Sequence, residues 1–158
     1  MAKKAKTNAI RKLDALKIKY EEHEADVDGT KTGVEVSTAL GKNPDKCFKT
    51  LVTVGKTGEH YVFMVPVAEE LDLKKAAAAV GEKSVEMVKS KELLGLTGYI
   101  HGGCSPIGMK KFFKTTCHIS AKNFDTICYS GGRIGLQLET TPQDLGKVIA
   151  YQFADIIR

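Results

Sequence analysis

The sequence predicts a single domain of the mixed α/β class. Helical and strand patterns are both present, yet the β hairpins are not regularly interleaved with helices, which disfavours a doubly wound parallel sheet. A chain of 158 residues supports one real core and leaves little room for a second domain. Hydrophobic and charged shares of 42% and 27% are those of a globular chain, not a disordered one. Residues 1–158 are therefore read as one unit, with residues 1–6 a loose basic tail.

Thr7 or Asn8 is placed to cap a first helix, whose apolar positions Ile10, Leu13 and Leu16 recur at i, i+3 spacing. A short extended piece is expected at 18–20, followed by an acidic loop with Asp28-Gly29 as its turn. Val36, Ala39 and Leu40 suggest a second short helix ending at Gly41. Asn43-Pro44-Asp45 breaks the chain before a β-rich run at 47–54, and residues 55–59 turn it into a partner strand at 60–65. The Ala-rich segment 73–80 reads as a helix stopped by Gly81. A strand at 84–88 and a helical turn at 90–94 follow, then an irregular stretch from Thr97 to Gly108 and a strand near 115–119. Two more strands, 125–129 and 134–138, flank Ser130-Gly131-Gly132-Arg133. The last helix has Thr141 as cap, Pro142 at its first position and Asp144 three beyond the cap, with Leu145, Val148, Ile149 and Phe153 at helical spacing. The tally is four or five helices and six or seven strands.

Several function classes fall away on composition. No apolar run approaches the ~20 residues that span a bilayer, and the Lys-rich start lacks a following apolar core, so neither a membrane nor a secreted protein is expected. Cys47, Cys104, Cys117 and Cys128 form no C-x-x-C pair and are read as free, mostly buried thiols of a cytoplasmic protein. His23, His60, His101 and His118 lack metal-ligand spacing, and no metal site is expected. The net charge of +5 is concentrated at the start. Lys3, Lys4, Lys6, Arg11, Lys12, Lys17 and Lys19 face only Asp14 within the first twenty residues. Such a patch attracts a polyphosphate such as tRNA, or is simply a solvated helix face with a soluble tail.

Three segments hold candidate chemistry. In the strand at 47–54, alternation puts Lys49 on a partly apolar face with Cys47 and Leu51. Lys49 there either snorkels at a strand end or lines a cleft as a ligand for anionic or carbonyl oxygen. Gly102-Gly103-Cys104-Ser105-Pro106-Ile107-Gly108 is a tight loop whose N–H groups either converge on an oxygen or form a purely structural turn. It matches no nucleotide-binding fingerprint, so no cofactor is expected. Ser130-Gly131-Gly132-Arg133 is explained by a hairpin, with Ser130 as a hydroxyl donor and Arg133 as a phosphate contact the alternatives. A nucleophile elbow is absent, and the pairs Cys104–His101 and Cys117–His118 are sequence neighbours of a kind that catalytic pairs rarely are. An enzyme of this composition works by positioning its substrate among backbone donors, a Lys and a Ser.

Taken together and in this order, these segments resemble the YbaK/EbsC family of aminoacyl-tRNA deacylases. The resemblance runs through Asn43-Pro44-Asp45, Phe48-Lys49-Thr50-Leu51, Val65-Pro66-Val67, Leu71-Asp72-Leu73-Lys74-Lys75 and Val85-Glu86-Met87. It continues through Thr97-Gly98-Tyr99, the loop from Gly102 to Gly108, Ser130-Gly131-Gly132 and Phe153-Ala154-Asp155-Ile156, so that it covers nearly the whole chain from Ile10. It implies a curved, partly barrel-like mixed sheet flanked by helices, related to the editing insertion domain of prolyl-tRNA synthetases. It further implies removal of cysteine wrongly attached to tRNA(Pro), with aminoacylated tRNA as substrate and prolyl-tRNA synthetase as partner. In the family the substrate's own thiol attacks its ester while the protein orients the group and stabilises the oxyanion.

Carried over by position, Lys49, Gly102 and Ser130 would be the catalytic set. The resemblance implies that Lys49 lies by the ester and terminal ribose, that Gly102 gives an N–H to the carbonyl, and that Ser130 holds the aminoacyl end. Thr50, Gly103, Ser105, Gly131 and Gln137 would bind substrate. Lys46 is not the family's lysine. Gln137 stands where the best-known branch has an acid, and an N-terminal tyrosine of that branch has no clear counterpart, so the EbsC-like branch is closer. Gln137 hydrogen-bonds but carries no negative charge. Two other readings share these residues: a non-catalytic amino-acid- or nucleotide-binding or synthetase-interaction module, and an editing factor for Ala-tRNA(Pro).

Overall fold

The computed structural model describes residues 5–28 and 30–158, so the expected tail is described only at Ala5 and Lys6, and Gly29 of the expected turn lies outside. Helix α1 (Asn8–Ala15) is capped by Thr7, whose hydroxyl accepts from the Ile10 N–H. It buries Ala9, Ile10 and Leu13, whereas Leu16 is the C-cap and stands 49% exposed, off the apolar face expected for it. Strand β1 (Glu21–Glu24) falls inside the expected acidic loop. Partners override its poor β composition: it pairs antiparallel with β7 (Leu136–Thr140), and His23 and Glu24 reach Glu139 and Arg133.

Helix α2 (Gly33–Ala39) opens with a capping box between Thr32 and Glu35. A short 3-10 turn (Pro44–Lys46), capped by Asn43, delivers the chain to β2 (Phe48–Gly55), which pairs back on β3 (His60–Pro66). Asp72 caps α3 (Leu73–Val80), and Gly81 ends it in the left-handed conformation. Strand β4 (Val85–Met87) returns to β2, and α4 (Ser90–Thr97) runs a turn longer than expected before Gly98 stops it. Strands β5 (Lys114–His118) and β6 (Ile127–Ser130) come next, then β7, α5 (Pro142–Val148) and β8 (Tyr151–Ala154).

The last helix is therefore shorter than the spacing suggested. Phe153 lies not on it but in β8, opposite Cys117 in a parallel ladder with β5. Helical spacing held through Ile149, but unpaired ladder positions along β5 made extension the better use of residues 151–154. Among the described residues there are eight strands, more than the expected six or seven, the additions being β1 and β8.

The architecture is mixed α/β, as expected. A five-stranded sheet has the order β4-β2-β3-β5-β8 and a three-stranded antiparallel sheet the order β1-β7-β6. Among the described residues one isolated parallel bridge, Cys47 to Cys128, joins them where β2 begins, and neither sheet closes into a barrel. One cluster, containing Phe63, Val65, Ala76, Ala77 and Ile156, seals α3 onto the large sheet. On the opposite face, Val52, Val62, Leu93, Tyr99, Cys104 and Phe113 seat α4 and the glycine-rich loop. The largest cluster packs α1, through Ile10 and Leu13, on Tyr129, Leu136 and Leu138 of the small sheet. Each buried Val, Leu, Ile or Phe among these contributes about 1.5–3 kcal/mol by leaving water. All four cysteines are buried free thiols. No helix among the described residues is long and apolar enough to cross a membrane.

Candidate active site

The start of β2 forms the floor of a cavity of about 240 Å³. Helix α2 contributes Gly33, Val36 and Ser37, and α4 contributes Leu93. The glycine-rich loop supplies His101, Gly102 and Cys104, and the β6–β7 hairpin supplies Ser130, Ile134, Gly135 and Gln137. Lys49, Thr50, Gly102, Ser130 and Gln137, distant in sequence, all line it. A larger cavity of about 390 Å³ lies behind the loop, around Lys12, Ile107, Phe112 and Ile149. Among the described residues it holds one charged side chain and none of the expected site residues, so the smaller cavity is where chemistry can be assembled.

Strand register explains the convergence. Ser130 on β6, Gln137 on β7 and His23 on β1 lie directly across from one another, and cross-strand neighbours point to the same face. That face meets the start of β2 at the Cys47–Cys128 bridge. Lys49 is half-buried and, among the described residues, its ammonium has neither a hydrogen bond nor a carboxylate partner. The buried Thr50 hydroxyl has no hydrogen-bond partner among them either. Ser130 Oγ accepts from the Gly132 N–H at 3.2 Å, which leaves its own O–H to donate. The Gly102 N–H is unused among the described residues, while the next one, on Gly103, bonds the Ile100 carbonyl. These are uncommitted donors around a small space, an arrangement that favours a developing oxyanion.

The loop that presents Gly102 is clamped. Tyr99 donates its hydroxyl proton to the Ile107 carbonyl at 2.6 Å, and Ser105 Oγ accepts from the Ile107 N–H at 3.2 Å. Gly108 adopts φ +76°, and a Cβ there would sit 2.9 Å from the Asn8 carbonyl carbon and from the Tyr99 oxygen. Helix α1 thus presses on the loop, and Thr7 also hydrogen-bonds the Gly131 carbonyl of the hairpin. Gly103, Ser105 and Gly131 do not line the cavity. Ser105 is fully buried within its own loop, Gly103 lies against the backbone of Arg133, and Gly131 lies against Leu136. Arg133, the alternative phosphate contact, is held by both oxygens of Glu24 at 2.9 and 3.2 Å and by the Ala5 carbonyl.

Beside the cavity is a network the sequence did not reveal. Glu139, 7% exposed, is bonded by His23 at 2.8 Å, Lys42 at 3.0 Å, Lys46 at 2.8 Å and Thr126 at 2.6 Å. Burial raises its pKa, but the hydrogen bonds from Lys46, Thr126, Lys42 and His23 outweigh that and hold it well below the usual carboxylate range. Lys46 is thereby engaged by Glu139 and Thr126 and is not among the residues that line the cavity. Glu21, His23 and Glu139 bring ligand atoms within 4.8 Å of one another, but both Glu139 oxygens are already occupied by lysines. Cys104, though in the cavity beside His101, has its thiol pushed up to about 11 by burial, so it is no ready nucleophile. The apolar wall of Val36, Leu93 and Ile134 was also missed. Its only sequence signal is the 33, 36, 37 spacing on α2.

This fold and site define an aminoacyl-tRNA editing domain: the profile of that family matches residues 27–148. The chain belongs to the YbaK/EbsC family of aminoacyl-tRNA deacylases. It is 44% identical to a protein of Enterococcus faecalis named as a Cys-tRNA(Pro)/Cys-tRNA(Cys) deacylase, EbsC, with 99% of this chain and 98% of that one covered. A proline–tRNA ligase of Pelobacter propionicus is 31% identical over 81 residues, half of this chain but 14% of the ligase. Among solved structures, one described as a trans-editing enzyme for prolyl-tRNA synthetase superposes with a TM-score of 0.81 at 27% identity, covering 98% of this chain and 99% of that one.

Proposed function

We propose that this protein is a cytoplasmic trans-editing deacylase that removes cysteine mischarged on tRNA(Pro), and cysteine from tRNA(Cys) as well, with no cofactor or metal. The observation that carries the reading is the convergence of Lys49, Thr50, Gly102, Ser130 and Gln137 on one small cavity, with donor capacity left over. The names borne by the E. faecalis relative and the trans-editing structure support it. The match to part of a proline–tRNA ligase supports action beside prolyl-tRNA synthetase. Residues 1–158 act as one unit.

The substrate supplies the nucleophile. Its thiolate attacks the ester carbonyl, the S–C bond forms, and the C–O bond to the ribose breaks. The ribose oxygen takes up the proton that the thiol released, and a cyclic thiolactone leaves. Lys49 and the Gly102 N–H stabilise the oxyanion, each such donor contributing about 3–4 kcal/mol. Ser130 and Thr50 hold the aminoacyl end, and Gln137 hydrogen-bonds it. Gly103, Ser105 and Gly131 act behind them, keeping the loop and the hairpin in shape.

The test is deacylation of cysteinyl-tRNA(Pro) by the purified protein, beside alanyl-tRNA(Pro) and thiol-alkylated cysteinyl-tRNA(Pro). Rapid loss of the cysteinyl ester alone is expected. Preferential loss of the alanyl ester would make the protein an alanine editor, and persistence of all three esters would make it a binding module.

A further inference from the structure

The cavity is conspicuous for what its lining lacks. Lys31, Lys49 and His101 line it, and among the described residues no Asp or Glu does. The remaining residues, 1–4 and Gly29, contain no carboxyl side chain. Nearby carboxylates are committed elsewhere. Asp28 accepts from the N–H and hydroxyl of Thr30 through one oxygen, and Glu35 caps α2 through Thr32 and pairs with Lys31 at 3.9 Å. Lys31 is thus offset, and Lys49 is the cavity cation without a carboxylate partner among the described residues. Glu24 holds Arg133. Glu139 shares a strand face with Gln137, two residues along β7, but its oxygens are filled by His23, Lys42, Lys46 and Thr126.

A cysteinyl ester carries an α-nitrogen beside the carbonyl that this site must polarise. If that nitrogen were an ammonium, it would share the cavity with the unpaired Lys49 cation, and no described carboxylate lines the cavity to offset it. Like charges in a partly buried site disfavour the charged form. An α-amino group titrates at about 8, so its neutral form is available near neutral pH. Gln137, whose amide makes no hydrogen bond among the described residues, can pair with a neutral nitrogen as donor or acceptor.

We infer that the cavity does not recognise the α-ammonium of its substrate: it binds thiol-bearing acyl esters of tRNA whose α-nitrogen is uncharged or missing altogether. This rests on the deacylase reading above and adds the substrate class. The chemistry permits it, because the sulfur–carbon bond that forms and the carbon–oxygen bond that breaks do not involve nitrogen.

The probe is 3-mercaptopropionyl-tRNA(Pro), in which hydrogen replaces the amino group, so that nothing larger than cysteine must fit. Its kcat/KM is expected within about fivefold of that for cysteinyl-tRNA(Pro). A loss of fiftyfold or more, with the cysteinyl ester still cleaved, would overturn the inference and leave the deacylase reading standing. Persistence of both esters would overturn the two together. The variant Gln137→Glu installs the missing counter-charge and is expected to raise the preference for the cysteinyl over the desamino ester by at least tenfold. An unchanged ratio in an active variant would also overturn the inference.

Discussion

Lys49 is the residue on which the proposed chemistry depends most. Its ammonium is unpaired among the described residues, so Lys49→Ala breaks no salt bridge there and leaves the ladder between β2 and β3 intact. The expected outcome is a fall in kcat/KM for cysteinyl-tRNA(Pro) of about a hundredfold, the scale of one lost oxyanion donor. The thermal midpoint should stay within a few degrees of wild type, checked by calorimetry beside the deacylation assay. Alternation along 47–54 made Lys49 readable as a candidate, but whether it lined a cleft or snorkelled was undetermined. The difference lies in what covers it, and α2 and the hairpin come from elsewhere in the chain.

At the level of elements, Glu139 has the widest reach. It ties β7 to β1, to the turn after α2, to the 3-10 turn before β2 and to the approach to β6. Glu139→Gln would leave Lys42 and Lys46 facing an uncharged amide, a cost of about 2–4 kcal/mol readable as a lower urea midpoint. The pH dependence follows from the depressed carboxyl. The wild-type contribution is fully present above the ordinary value of 4.5 and is lost as pH falls below it toward the lower folded value. Wild type should therefore lose stability on acidification from about pH 5 to 3 more steeply than the variant, in urea titrations at each pH. Caps and turn residues announced most of these elements: Thr7, Gly81, Thr141 and Pro142 all act as their positions suggested, while the Asp72 cap of α3 was seen only in the structure. Strand β1 could not be announced, because Glu21-Glu22-His23-Glu24 is a strand only while β7 stands beside it.

For the whole molecule, charge distribution bears on the tRNA. Arg11 and Lys12 are exposed on α1, the helix that leans on both the glycine-rich loop and the hairpin. Binding of tRNA should weaken roughly ten- to a hundredfold between about 50 and 200 mM salt, as expected when a few phosphates are neutralised. Exchanging Arg11 and Lys12 for Ser should reduce the log–log salt slope by about one to two, measured by filter binding. An unchanged slope would return the basic start to the role of a solvated face.

By itself the sequence determined the mixed class, most element starts and stops, the buried free thiols and the family, because these depend on local spacing and on motifs that survive in one dimension. It also named Lys49, Gly102, Ser130 and Gln137, through the order of segments in which they sit. Only the tertiary structure decided that these four share one cavity while Gly103, Ser105 and Gly131 stand behind it. It alone turned Phe153 into a strand residue, gave Lys46 to Glu139 and left Lys49 unpaired. The physical reason is common to all of these. Which face a residue shows, and which charge it meets, is set by strand register and sheet contact between segments far apart in the chain, and no local pattern encodes the partner.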